Sequence, residues 1–108
     1  MTYIFSAFYA EAKNIIDHYG LKKEKSPERV RFDVFVNESI RLVITGVGEI
    51  NAAAAVSNIG GAYGISPDDE ILNVGCGAGF SSDICLGSIF LGNKLTEQMT
   101  GRTFYPDM

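Results

Sequence analysis

The stretch VRFDVFVNESIRLVITGVGEINAAAAVSNIGGAYG, Val30 to Gly64, decides the fold. Val30, Phe32, Val34 and Val36 alternate with Arg31, Asp33 and Phe35, the period of a half-buried strand. Asn37-Glu38-Ser39 reads as a short turn, after which Ile40, Leu42 and Ile44 alternate with Arg41, Val43 and Thr45. Two alternating runs around a tight turn predict a β-hairpin. Gly46 and Gly48 end the second strand, and the pattern then changes period. Ala52 to Ala55 are strong helix formers, and Ala52, Val56, Ile59 and Tyr63 share one helical face. A helix is therefore expected over 49–63.

On the N-terminal side, residues 2–8 (TYIFSAF) are β-branched and aromatic without a turn residue, which predicts a first strand. Ala12, Ile15, Ile16 and Tyr19 recur at helical spacing, and Gly20 stops that helix. LKKEKSPE (21–28) is charged, holds Pro27 and reads as a surface connection. On the C-terminal side, Ser66-Pro67-Asp68-Asp69 is a turn. Residues 70–74 (EILNV) form a short apolar run, which fits a central strand covered on both faces. Ser88 to Leu91 predict one more strand, and the tail from Asn93 is polar. The expected fold class is α/β, a mixed β-sheet flanked by helices, with helix 49–63 packed across the sheet. No repeat or low-complexity linker divides residues 1–108, so one domain is expected.

Composition narrows the function classes. The chain is 46% hydrophobic and 20% charged, which is globular rather than disordered. Thirteen acidic against nine basic residues leave a net charge of -4, without a basic footprint for nucleic acid or an anionic membrane. No apolar run approaches the roughly 18 residues of a membrane span. The N-terminus lacks a positive segment and carries Glu11 early, so no signal peptide is read and the expected location is the cytoplasm. Cys76 and Cys85 have no metal-ligand spacing, His18 is the single histidine, and CxxC is absent. The cysteines are expected to be free and buried, and neither metal nor cofactor is implied.

Three places invite chemistry. Glu11 follows the first strand closely, and ligands of open α/β sheets bind at the carboxyl ends of strands. The plain alternative is a solvated glutamate favoured by the helix dipole. Gly46-Val47-Gly48 at a helix start can turn backbone N–H groups towards an anion or a sugar hydroxyl, or can simply be a strand-to-helix turn. No GKS or GKT follows, so it is not a P-loop. Asn73-Val74-Gly75-Cys76-Gly77-Ala78-Gly79 is dense enough in small residues to let a flat ligand approach the backbone.

Residues 71–79 (ILNVGCGAG) resemble the first motif of S-adenosylmethionine-dependent methyltransferases. That family usually has an acidic residue where Asn73 stands, a full helix after the glycines and an acidic residue ending the next strand. Here only Phe80 to Leu86 separate the loop from Gly87, the next run ends Leu91-Gly92-Asn93, and a β-hairpin precedes the motif. The methyltransferase reading is set aside.

All three places, in this order, resemble the purine nucleoside phosphorylase and nucleosidase family, closest to methylthioadenosine/S-adenosylhomocysteine nucleosidases. Residues 4–11 (IFSAFYAE) resemble that branch's first strand, with its alanine and, four positions on, its glutamate. Residues 45–53 (TGVGEINAA) resemble its strand-to-helix turn, 71–79 its glycine-rich loop, and Leu86-Gly87-Ser88-Ile89 the opening of its next strand. The resemblance implies a phosphorylase/hydrolase-like three-layer fold and action on the N-glycosidic bond of a purine nucleoside. It implies that Glu11 activates the attacking water, that Cys76, Gly77 and Ala78 contact the purine largely by backbone, and that Val47 lines the ribose side. More loosely, Phe104, Tyr105 and Asp107 lie where the family closes its site near a subunit interface. Cys76 departs from the family's usual serine.

A carboxylate beneath the anomeric carbon can orient and deprotonate water, an effect of ~10²–10⁴ in rate. Phosphorylases of the family carry an arginine where Asn73 stands and a phosphate site near the N-terminus. No arginine lies in residues 1–28, and a phosphate dianion without one binds poorly. Hydrolysis is therefore expected over phosphorolysis. Family members are roughly twice this length, and the resemblance covers their N-terminal half. The expectation is a truncated, partial domain, weakly active or inactive alone, whose uncovered apolar edges drive homo-oligomerisation. The alternative is a non-catalytic purine-binding or oligomerisation module.

Overall fold

A computed structural model of the chain describes residues 1–25 and 27–106. Two compact units emerge, Met1–Gly77 and Ala78–Met108.

The first unit runs β1 (Thr2–Ser6), α1 (Tyr9–Tyr19), β2 (Lys22–Lys23), β3 (Asp33–Val36), β4 (Ile40–Ile44), α2 (Glu49–Tyr63) and β5 (Glu70–Asn73). Its five strands form one mixed sheet in the order β2-β3-β4-β1-β5. β1 is parallel to both β4 and β5, whereas β2, β3 and β4 are joined antiparallel. The chain is thus a mixed α/β protein, as its alternation of periods predicts.

Strand alternation sorts the core into two clusters, one on each sheet face. Tyr3, Phe5, Val34 and Val43 pack with Ala55 and Ile59 of α2. Ile4 and Leu42 pack with Ala12 and Ile16 of α1, joined by Leu21. Gly20 ends α1 with φ 63°, and Leu21 donates its N–H to Ile16 O at 2.9 Å. That is a Schellman closure, and its paired apolar residues, Ile16 and Leu21, are both buried. In the hairpin, Asn37 Oδ1 accepts the N–H groups of Ser39 and Ile40, each at 2.8 Å, and fixes the turn.

Several expectations need correction. The strand expected from Val30 begins only at Asp33. Asn58 of α2 takes the preceding backbone instead: its Oδ1 accepts from Arg31 N at 3.0 Å and its Nδ2 donates to Arg29 O at 2.7 Å. The supposed surface connection contains β2, whose two lysines sit on a sheet edge, where charge discourages stray pairing. The run expected to be a central, twice-covered strand is the edge strand β5, and all four of its residues are exposed. Its apolar pattern suits burial on both faces, but among the described residues only β1 pairs with it.

The second unit holds a short hairpin, β6 (Leu95–Thr96) and β7 (Thr103–Phe104). Gly101, at φ 73°, donates to Glu97 O at 2.8 Å and tightens its turn. The strand expected over Ser88 to Leu91 does not form. These residues have the right propensity but, among the described residues, no partner strand, and propensity without pairing does not make a strand. Among the described residues, no helix is long and apolar enough to cross a membrane.

Candidate functional site

Three parallel strands end side by side in the first unit, and each apolar run closes on a polar residue: Ser6, Thr45 and Asn73. Thr45 donates its N–H to Ser6 O at 2.8 Å, and Val74 donates to Phe5 O at 3.0 Å. The chain leaves each strand towards the same side, as expected where ligands bind open α/β sheets. A cavity of about 360 Å³ opens there. After β1 it is lined by Ala7, Phe8 and Glu11, after β4 by Thr45, Gly46, Gly48, Glu49 and Ala52, and after β5 by Asn73 to Cys76.

Glu11 occupies the first turn of α1 and is half-buried. Ser6 is fully buried, and its hydroxyl donates to Glu11 Oε2 over a long 3.4 Å. A β-carbon built on Gly75 would lie 3.7 Å from the same oxygen, so the glycine-rich loop runs directly beside the carboxylate. Thr45 keeps its buried hydroxyl satisfied on Gly46 O at 2.8 Å. The turn after β4 depends on glycine, with φ of 85° at Gly46 and 92° at Gly48. Asn51 Nδ2 donates to Val47 O at 2.7 Å and closes the turn. Neither helix has a side-chain cap, so the first-turn N–H groups of both α1 and α2 adjoin the cavity without one.

The structure brings Glu11 and Cys76 to one cavity. Val47 projects outward at 60% exposure and is not among the lining residues. Gly77, the last residue of the first unit, does not line it either. Ala78, Phe104 and Tyr105 belong to the second unit, and Asp107 lies outside the described residues. Cys76 and Cys85 are free thiols, but both are exposed rather than buried. Glycine neighbours at Cys76 and the lack of any regular element around either residue explain why no core forms over them.

Sequence reading did not single out Ser6, Thr45 or Glu49, nor Asn73 as a site residue in its own right. The readable signal was positional, a polar residue closing each apolar strand. Glu49 was hidden inside the glycine turn. Its carboxylate joins that of Glu11 among the lining residues, with no lysine, arginine or histidine beside them. That field disfavours an anionic ligand and suits a neutral one with hydroxyl groups. Among the described residues, no group of three or more His, Cys, Asp or Glu is placed to hold a metal ion. No family model, curated protein or solved structure matches the chain.

Proposed function

We propose that this chain is nucleosidase-like and acts on the N-glycosidic bond of a purine nucleoside. The observation that carries the reading is convergence. The glutamate after β1, the glycine turn after β4 and the glycine-rich loop after β5 are far apart in sequence, yet all line one cavity. Those same three segments carry the resemblance to the nucleosidases. In this reading Glu11 orients and deprotonates water, and Ser6 steadies the Glu11 carboxylate. The loop from Gly75 receives the flat base against its backbone, with Cys76 as the base contact on the cavity wall. Water is favoured over phosphate as nucleophile because two glutamates and no cation line the cavity. The finer fold assignment, a phosphorylase/hydrolase-like three-layer domain, is part of the same proposal and is supported by one helix packing on each sheet face.

The test is chromatographic detection of free base from a nucleoside panel, with and without phosphate. Base release that does not depend on phosphate, reduced ~10²–10⁴-fold by Glu11→Gln, is the expected result. Release that requires phosphate would reverse the choice of nucleophile. No release, even at high protein concentration, would defeat the catalytic reading.

One observation favours a second reading. Among the described residues, Glu49 is the only ionisable carboxyl lining the cavity besides Glu11, which leaves few candidates to protonate a departing purine. A module that binds purine without turnover fits that shortage. Calorimetric titration with adenine, giving binding but no base release from nucleosides, is its signature.

A further inference from the structure

The free edge of β5 and an apolar run of the second unit are complementary. In the parallel ladder, Glu70 donates to Met1 O and Val74 donates to Phe5 O. Alternate residues therefore face β1, and the N–H and C=O groups of Ile71 and Asn73 turn to the free edge. Both faces of this edge are apolar: Ile71 is 52% exposed and Leu72 44%. On the α2 side a slot of about 360 Å³ runs between helix and edge, lined mainly by Phe5, Ala52, Ala53, Val56 and Ile71. The run Ser88-Ile89-Phe90-Leu91 is bounded by Gly87 and Gly92 and has strong strand propensity. Ile89, Phe90 and Leu91 are nonetheless 96%, 71% and 77% exposed.

We propose that two copies of this chain exchange this run, so that residues 88–91 of each add a strand to the β5 edge of the other. An extended strand supplies the backbone partners that Ile71 and Asn73 lack among the described residues, the mode of β-augmentation. Period 2 sends Ile89 and Leu91 to one face and Phe90 to the other. The two aliphatic side chains fill the slot beside Val56 and Ile71, and Phe90 covers Leu72. Area selects a reciprocal exchange over a single contact. Phe90 alone brings roughly 150–250 Å² of surface. Two arms, each carrying three large apolar side chains, bury on the order of 1,000 Å², the threshold for a specific interface. One arm alone falls well short of that, so the association is two-fold and concentration-dependent.

The experiment uses the full chain with Cys76→Ser and Cys85→Ser, which removes the native thiols. One preparation adds Leu72→Cys, a second Phe90→Cys, and a third carries both. Mild oxidation is followed by non-reducing gel electrophoresis, and sedimentation velocity is run over a protein concentration series. The expected result is a covalent dimer from the mixture of the two single variants, and from the double variant, in excess over either single variant alone. The parent chain should sediment as a dimer at high concentration, and Phe90→Glu, a change at an exposed position, should leave a monomer. A covalent monomer from the double variant would mean that the arm docks within its own chain and would overturn exchange. Faster self-crosslinking of Leu72→Cys alone would mean that β5 edges pair with each other. A parent monomer at every concentration would also sink the proposal.

Discussion

Gly46 and Gly48 show how single residues set the site. Both hold left-handed backbone, at φ 85° and 92°, where a side chain costs on the order of 1–3 kcal/mol. They differ in surroundings. A β-carbon at Gly46 would come within 3.2 Å of Asn51 Nδ2, whereas nothing lies within 4 Å of one at Gly48. Gly46→Ala must therefore strain the backbone and also displace the amide that closes the turn on Val47 O. Denaturant unfolding should show Gly46→Ala as the more destabilising of the two alanine variants; equal losses would mean that Asn51 yields without cost. Asp69 makes a pH-dependent contribution. The Ser66 N–H donates to its Oδ2 at 2.9 Å, and the N-terminal ammonium lies 3.2 Å from Oδ1. The backbone hydrogen bond foremost, then the ammonium, holds the Asp69 carboxyl below the usual aspartate range. Since the folded value is the lower one, this contribution is present above the unfolded value, about 3.9, and is lost as pH falls through the folded one. Asp69→Asn should lower the unfolding midpoint at pH 6 and match the parent near pH 2; a constant gap would point to the side chain's shape rather than its charge. At this scale the sequence identified Glu11 and the two glycines, because a carboxylate after a strand and glycine at a turn are local signals. Ser6 was not legible, since a serine inside an apolar run gives no sign that its hydroxyl meets a side chain five residues on.

Elements were most legible where one period repeats. The helical stripe from Ala12 to Tyr19 and the segment 49–63 correspond to α1 and α2, and the strict alternation around Asn37 corresponds to β3 and β4. Each of these is fixed by neighbours in sequence. What failed depended on distant partners. β5 reads as a central strand because both its faces are apolar, but its place in the sheet is set by which strands lie beside it. Residues 88–91 read as a strand and, among the described residues, pair with none. Val30 and Phe32 continue the strand pattern, yet a helix side chain takes the backbone between them. Asn58→Ala tests that last account. It removes one donor and one acceptor facing the 29–31 backbone, at a net cost of roughly 0.5–1.5 kcal/mol each. The expected outcome is a comparable loss in unfolding free energy together with faster amide exchange at Arg31. Unchanged exchange at Arg31 would show that Asn58 does not hold this segment.

Across the whole molecule, stability is concentrated in one unit. Every buried apolar residue from Tyr3 to Ile59 falls within Met1–Gly77, and both core clusters draw only on that unit. The described residues of Ala78–Met108 carry large apolar side chains at high exposure, a hairpin of two two-residue strands and no buried position. Little apolar area leaves water there, so little opposes the chain entropy of opening. The two units should therefore differ in native-state hydrogen exchange. Amides of β1 and β4 should exchange only by global unfolding, and those of β6 and β7 by local opening of low free energy. Leu42 separates the two processes. It is fully buried at the centre of the cluster beneath α1, and Leu42→Ala should cost about 2–5 kcal/mol. That loss should appear in full at the amides of Ile4 and Val43, since global opening limits their exchange. It should leave Thr96 and Thr103 unchanged, because their exchange is already governed by a cheaper local event. If Thr96 and Thr103 slowed and accelerated in step with Ile4, the chain would unfold as a single cooperative body, and the division into two units would not be a division of stability. Measurement at protein concentrations below and above self-association keeps strand exchange from masking the local opening, since a docked arm would add protection of its own to Ile71 and Asn73.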